Sequence, residues 1–341
     1  LRYDDILIDR TVMSGYLNFS GECDFEDTAY DFIYSDAGIL YGYNLSEETR
    51  TEIANMNNPG KRGGKYASSG VMYYNDGLVL TEYTDNSESF SGGVLGIADM
   101  NGTVLKTIPV VQRNEGGIKS VHILENDEAY VLISRNVSDS NFKLLYISTV
   151  LHIGSDGDIN DRIGLEVYDD AFHDYNDMLV NDDGFVCMAS DHLSFFDPDG
   201  NYIGEISVND RRITQIFKGT DGDYIITESE NSQSDIRKID YENNKLELVS
   251  EFEYSSEGKL FKGDKENDFY ISQSDGIYGY NIAEQSFEEI INWVDSDLEK
   301  VPQSFTMNGK DTVLCGENVW LDGKNDASYT VLERVDEKTL R

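Results

Sequence analysis

Four histidines, His122, His152, His173 and His192, carry all the imidazoles of this 341-residue chain. None forms an HxH or HExxH pair, so no zinc-protease pattern is present. The densest polar–aromatic cluster is FHDYNDM, Phe172 to Met178. His173 and Asp174 stand there at the start of a repeat unit, where they are expected to approach a central channel and meet a ligand. SDGDIND sets Asp156, Asp158 and Asn160 at alternate positions, followed by Asp161. Oxygen ligands at that spacing suit Ca²⁺ in a tight turn. An EF-hand loop starting at Asp156 would need Gly and Glu where the chain has Asp161 and Val167. The same residues are also what a hairpin turn selects for backbone reasons. GKRGGKYASSG, ending at Gly70, is the one basic, Gly-rich stretch. It lacks the strand–loop–helix context of a phosphate loop and reads as a connection, with Arg62 and Lys65 placed to contact an anion at a channel mouth. No dinucleotide fingerprint and no nucleophile elbow occurs, and no cofactor is implied.

The elements that must position these residues come from a repeat. An apolar residue, a turn residue and an aliphatic residue nine positions further on recur seven times. The turn residues are Asn44, Asp99, Gly154, Asp197, Asp240, Asn281 and Asp322, at spacings of 55, 55, 43, 43, 41 and 41. Strand–turn–strand units at this period indicate a β-propeller. The expected fold is all-β, a seven-bladed β-propeller in one domain, with six or eight blades if a unit is divided differently. Blades are expected near 16–60, 61–112, 113–168, 169–209, 210–251, 252–296 and 297–336. Residues 1–15 supply a strand that completes the last blade and covers its open edge. Two longer stretches, Thr81 to Gly96 and Ile133 to Ser148, read as long hairpin loops or extended strands. FEEIINWVDSDLEKVPQSF, Phe287 to Phe305, reads as a short helix or turn between blades.

Composition narrows the function. The chain has 65 acidic and 27 basic residues, a net charge of −38. That opposes nucleic acid, whose phosphates need clustered Lys and Arg, and anionic lipid. Cys23, Cys187 and Cys315 lie far apart with no CxxC spacing, and read as buried free thiols. No apolar run is long enough to span a bilayer.

Two further segments, INWVDSDLE (Ile291 to Glu299) and YTVLERVDEKTL (Tyr329 to Leu340), resemble parts of a known group. They are similar to the N-terminal propeller of large extracellular solute-binding lipoproteins of ABC-transporter uptake systems from clostridial-type Gram-positive bacteria. The resemblance implies an extracellular, cell-surface protein. Its membrane link is a lipid anchor outside this sequence, and a solute-binding domain is fused or adjacent. It brings no catalytic residues. The resulting expectation is a non-catalytic module, not an enzyme, that takes a carbohydrate or peptide ligand or a protein partner. Two alternatives stand beside it: a propeller enzyme acting on glycans at the channel mouth through His173 or paired carboxylates, and a ligand-free scaffold.

Overall fold

The computed structural model describes residues 7–14, 30, 32–36, 39–44, 47, 49–55, 66–75, 78–85, 93–99, 104–109, 117–124, 128–138, 144–156, 158–167, 173–219, 221–229, 233–253, 259–262, 269–272, 276–284, 286–292, 304–307, 312–320 and 328–336. No α-helix occurs among them.

β1 (Leu7–Ser14) opens the chain. β2 (Phe32–Asp36), β3 (Ile39–Asn44) and β4 (Thr49–Asn55) make a three-stranded antiparallel sheet. Four-stranded sheets follow in sequence order. The first holds β5 (Tyr66–Asn75), β6 (Leu78–Asp85), β7 (Gly93–Asp99) and β8 (Val104–Pro109). The next holds β9 (Gly117–Ile123), β10 (Ala129–Ser138), β11 (Leu144–Ile153) and β12 (Ile159–Gly164). Then come β13 (Asp177–Asn181), β14 (Gly184–Met188), β15 (His192–Phe196) and β16 (Tyr202–Ser207). They are followed by β17 (Arg211–Gly219), β18 (Gly222–Ser229), β19 (Gln233–Asp240) and β20 (Lys245–Glu253). The sixth sheet is β21 (Lys259–Lys262), β22 (Phe269–Ser272), β23 (Gly276–Asn281) and β24 (Ser286–Asn292). The seventh joins β25 (Ser304–Met307), β26 (Thr312–Trp320) and β27 (Ser328–Asp336) to β1, which pairs antiparallel with β27. The chain groups into two compact units, Leu1–Ile108 with Glu257–Arg341, and Pro109–Ser256.

The repeated turn residue has a fixed place. Asp99, Asp240 and Asn281 end the third strand of their four-stranded sheets, Asn44 ends the middle strand of the three-stranded one, and Gly154 and Asp197 follow a third strand directly. Asn44, Asp240 and Asn281 accept the backbone N–H three residues on, and Asp197 accepts those of Asp199 and Asn201. A short side chain with an acceptor oxygen closes the turn on its own backbone, which is why Asn and Asp recur there. The seventh copy is out of phase. Its turn falls between β26 and β27, the second and third strands counted from β25, and Asp322 itself lies outside the described residues.

Six edge strands share a second feature. β1, β4, β12, β16, β20 and β24 each carry one residue that the partner register skips: Ile8, Ile53, Asn160, Ile203, Val249 and Ile290. A bulge twists an edge strand away from further pairing. In β4, β20 and β24 the skipped residue is the repeated aliphatic nine positions after the turn.

In the second unit the sheet β13–β16 is packed on both faces. β14 alternates strictly: Phe185 and Cys187 join a cluster with Leu132, Val150, Met178 and Phe196, while Val186 and Met188 join one with Ile206, Ile213, Ile225 and Ile239. The two-residue period sends neighbours to opposite faces, and both faces are apolar, so β14 reads as an unbroken hydrophobic run. Each such side chain contributes on the order of 1.5–3 kcal/mol of burial.

The expected extended strands at 133–148 are present as the long hairpin β10–β11. Where a helix or turn was expected, 287–292 is strand β24 and 293–303 lies outside the described residues.

Candidate functional site

In the second unit, β13 packs beside both β9 and β17, so the first strands of three successive sheets lie next to one another. On the first strands Lys and Arg also outnumber Asp and Glu. Lys119 lies on β9, Arg211, Arg212 and Lys218 on β17, and Lys259 and Lys262 on β21, against Asp36 on β2 and Asp177 on β13. The fourth strands run the other way, with four of the nine residues of β20 charged and three of those acidic.

Two pairs, each ending on a carboxylate, bridge β9 to β13 and the segment before it. Lys119 Nζ lies 2.9 Å from Asp174 Oδ1, and His122 Nε2 lies 3.2 Å from Asp177 Oδ1. All four side chains are between about a quarter and a third exposed. Lys119 is the residue that the β9–β10 register skips, between Leu132↔Ser120 and Ile133↔Ile118. The bulge re-aims its side chain toward Asp174. A carboxylate only accepts hydrogen bonds, so Asp177 takes the Nε2–H of His122 and fixes that tautomer. The basic nitrogen is then Nδ1, which has no partner among the described residues. Asp177 is itself held by the Met178 N–H at 2.8 Å.

Behind this wall lies a second polar chain. His173 Nδ1 is 3.0 Å from His192 Nε2, and His192 Nδ1 is 2.7 Å from Asp191 Oδ1. Asp191 accepts from Nδ1–H, so Nε2 of His192 accepts and His173 donates. Both rings are buried, and His173 stacks on Tyr175, whose hydroxyl donates to Ser194. His173, expected to reach a ligand, is thus turned into the protein. Asp174, its neighbour, faces Lys119.

The other expected site residues are placed as follows. Arg62 and Lys65 lie outside the described residues. Asp156, Asp158 and Asn160 are exposed on the β11–β12 hairpin, where Asp156 accepts the N–H of Asp158. Asn160 is the bulge residue of β12. Among the described residues no group of three His, Cys, Asp or Glu side chains is arranged to hold a metal ion. Lys119 was not read as a site residue, and His122, named among the histidines, was not paired with Asp177, which lies inside FHDYNDM. The available signal was the excess of basic residues on first strands.

No family model matches the chain, and no curated protein matches it. Solved structures do. An oligogalacturonate lyase in complex with manganese is similar over 98% of this chain and 92% of its own, with a TM-score of 0.54 at 12% identity. The C-terminal WD40 domain of Sif2 is similar over 96% of this chain and 98% of its own, with a TM-score of 0.53 at 9% identity. The fold is a β-propeller, the class that the repeat predicts. The expectation that such a chain is no enzyme is overturned: a lyase adopts the same fold along nearly its whole length. That expectation rested on the resemblance, which brings no catalytic residues, and a fold does not fix a function.

Proposed function

We propose that the protein is a propeller enzyme that acts on an acidic oligosaccharide at the wall formed by β9 and β13. The observation that carries this reading is the Asp177–His122 pair. A part-exposed imidazole with its tautomer set by a carboxylate and its Nδ1 unengaged is the arrangement of a general base. Lys119, three residues away, supplies the positive charge that a sugar carboxylate needs. Lys218 of β17, whose Nζ donates to the Val180 carbonyl of β13, adds a second cation beside the wall. The likeness to an oligogalacturonate lyase supports the reaction class.

The reaction is a β-elimination. His122 Nδ1 takes the proton from the carbon next to the uronate carboxyl. The electron pair left behind forms a carbon–carbon double bond, the glycosidic C–O bond breaks, and the leaving oxygen takes a proton from water, releasing the next sugar. Lys119 exchanges Asp174 for the substrate carboxylate and stabilises the charge that develops on it. The similarity of INWVDSDLE and YTVLERVDEKTL to lipoprotein propellers supports an extracellular setting, anchored by lipid beside a solute-binding domain. There the enzyme shortens a glycan whose fragments are imported.

The test is a panel of oligogalacturonates and neutral oligosaccharides, read by the ultraviolet absorbance of the unsaturated product. Product from the acidic members alone, lost in His122→Ala and Asp177→Asn, is the expected result. Binding of acidic glycans without any product would reduce the protein to a lectin-like role.

A further inference from the structure

A cleft of about 440 Å³ runs beside β16, between its end and the β19–β20 hairpin. It lies apart from the β9–β13 wall, and its chemistry is different. Arg211, Arg237 and Lys245 line it, with the amides of Asn209 and Asn244, against the single carboxylate of Glu205. Three cations on one cleft stand out in a chain with 27 basic and 65 acidic residues.

The guanidiniums are held from behind. Arg237 gives Nε and Nη2 to Asp235, and Arg211 gives Nε to Thr227 and Nη2 to the Gln233 carbonyl. Arg211 Nε also lies 3.4 Å from Asp235. Asp235 is 1% exposed, so one buried carboxylate answers two guanidiniums and fixes both at the cleft wall. Nη1 of both arginines has no partner among the described residues. Lys245 closes the far end, where Glu247 holds its ammonium at 2.7 Å and Asp240 lies 3.4 Å away, so an entering anion takes the place of Glu247; Asn244, at φ 51°, fixes the hairpin by donating to the Glu205 carbonyl at 3.2 Å. Fixed N–H forks with unused donors match the paired oxygens of a carboxylate or phosphate. The volume suits a ligand of monosaccharide size.

We infer that this cleft binds a small oxyanion, a carboxylate or phosphate group carried by a sugar-sized ligand. Isothermal titration of the full chain with sodium phosphate and with sodium malonate, against sodium chloride at matched ionic strength, tests it. Saturable binding of phosphate alone assigns a phosphate ligand, and of malonate alone a carboxylate ligand. Either should weaken about tenfold in Lys245→Gln, the loss of one charge-assisted bond. Lys245 is half exposed, so that variant folds. His122→Ala should bind the anion as the parent does, which separates this site from the wall. Heats equal to those of chloride for both anions, or binding unchanged in Lys245→Gln, would overturn the inference.

Discussion

Asp235 and Arg237 stand two residues apart on β19, and the guanidinium closes three hydrogen bonds on the carboxylate, at 3.0, 3.1 and 2.7 Å. Residues i and i+2 share one face of a strand, so the pair forms without any bend in the chain. Thr227 on β18 donates to the same carboxylate. Replacing it leaves two guanidiniums and a hydroxyl arranged round a neutral amide. Asp235→Asn should destabilise the protein by about 3 kcal/mol, the scale for breaking a buried pair from one side. Urea unfolding measures it, and a midpoint within error of the parent would contradict the arrangement.

The repeated hairpin also binds one sheet to the one before it. Gly200, in the β15–β16 hairpin, accepts the Glu166 N–H at 2.8 Å, and Glu166 Oε2 accepts the Tyr202 N–H at 2.9 Å. Asn244, in the next hairpin, reaches the Glu205 carbonyl in the same sense. Gly200 has φ +85°, and a Cβ there would lie 2.5 Å from the Gly164 carbonyl oxygen. Gly200→Ala therefore combines a left-handed backbone with a backbone clash. It should cost roughly 1–3 kcal/mol, and urea unfolding should show it. An alanine variant as stable as the parent would mean that the hairpin does not pack on β12.

Much of the fold was legible because the turn chemistry is local. Asn44, Asp197, Asp240 and Asn281 close their turns on backbone groups two to four residues away, so residue type and spacing sufficed to find them. Asp322 shows the limit: its spacing from Asn281 is regular, yet it lies one hairpin out of phase, since β1 supplies the fourth strand from the other end of the chain. The candidate site was less legible. His122 and Asp177 are 55 positions apart and meet only because first strands of successive sheets are neighbours. His173 stands in the polar cluster that the sequence offers, but it is buried, and its partner His192 opens β15, 19 positions on, which no local pattern announces. The bulge that turns Lys119 toward Asp174 leaves no mark in the residues GIKSVHI.

The hairpin carboxylates carry a pH signature. The side-chain amide of Asn201 holds Asp197 below the usual carboxylate range, helped by the N–H groups of Asn201 and Asp199. Asn243, and then Lys245, do the same for Asp240. A depressed folded value means that the stabilisation is complete above the unfolded value, about 3.9 for Asp. It is lost as pH falls through the folded value. Carbon-detected NMR titration should show both residues ionising late on acidification. Asn201→Ala should return Asp197 toward the ordinary range and leave Asp240 where it was. A shift of both, or of neither, would break the link to the local amide.

Cys187 is the last case, and it tests the packing of β14 directly. Its thiol is fully buried in the cluster with Leu132, Met178 and Phe196. Burial pushes its ionisation far up, and the charge of Asp177 adds to the effect. Only the thiolate is nucleophilic, so Cys187 should stay silent toward a disulfide reagent at mildly alkaline pH while the fold is intact. In denaturant it should react at the rate of a free cysteine. Because Cys23 and Cys315 would add their own signal, the measurement uses a variant with both replaced by Ser. Fast modification of that native variant would place β14 at a surface and overturn the two-sided packing of its sheet.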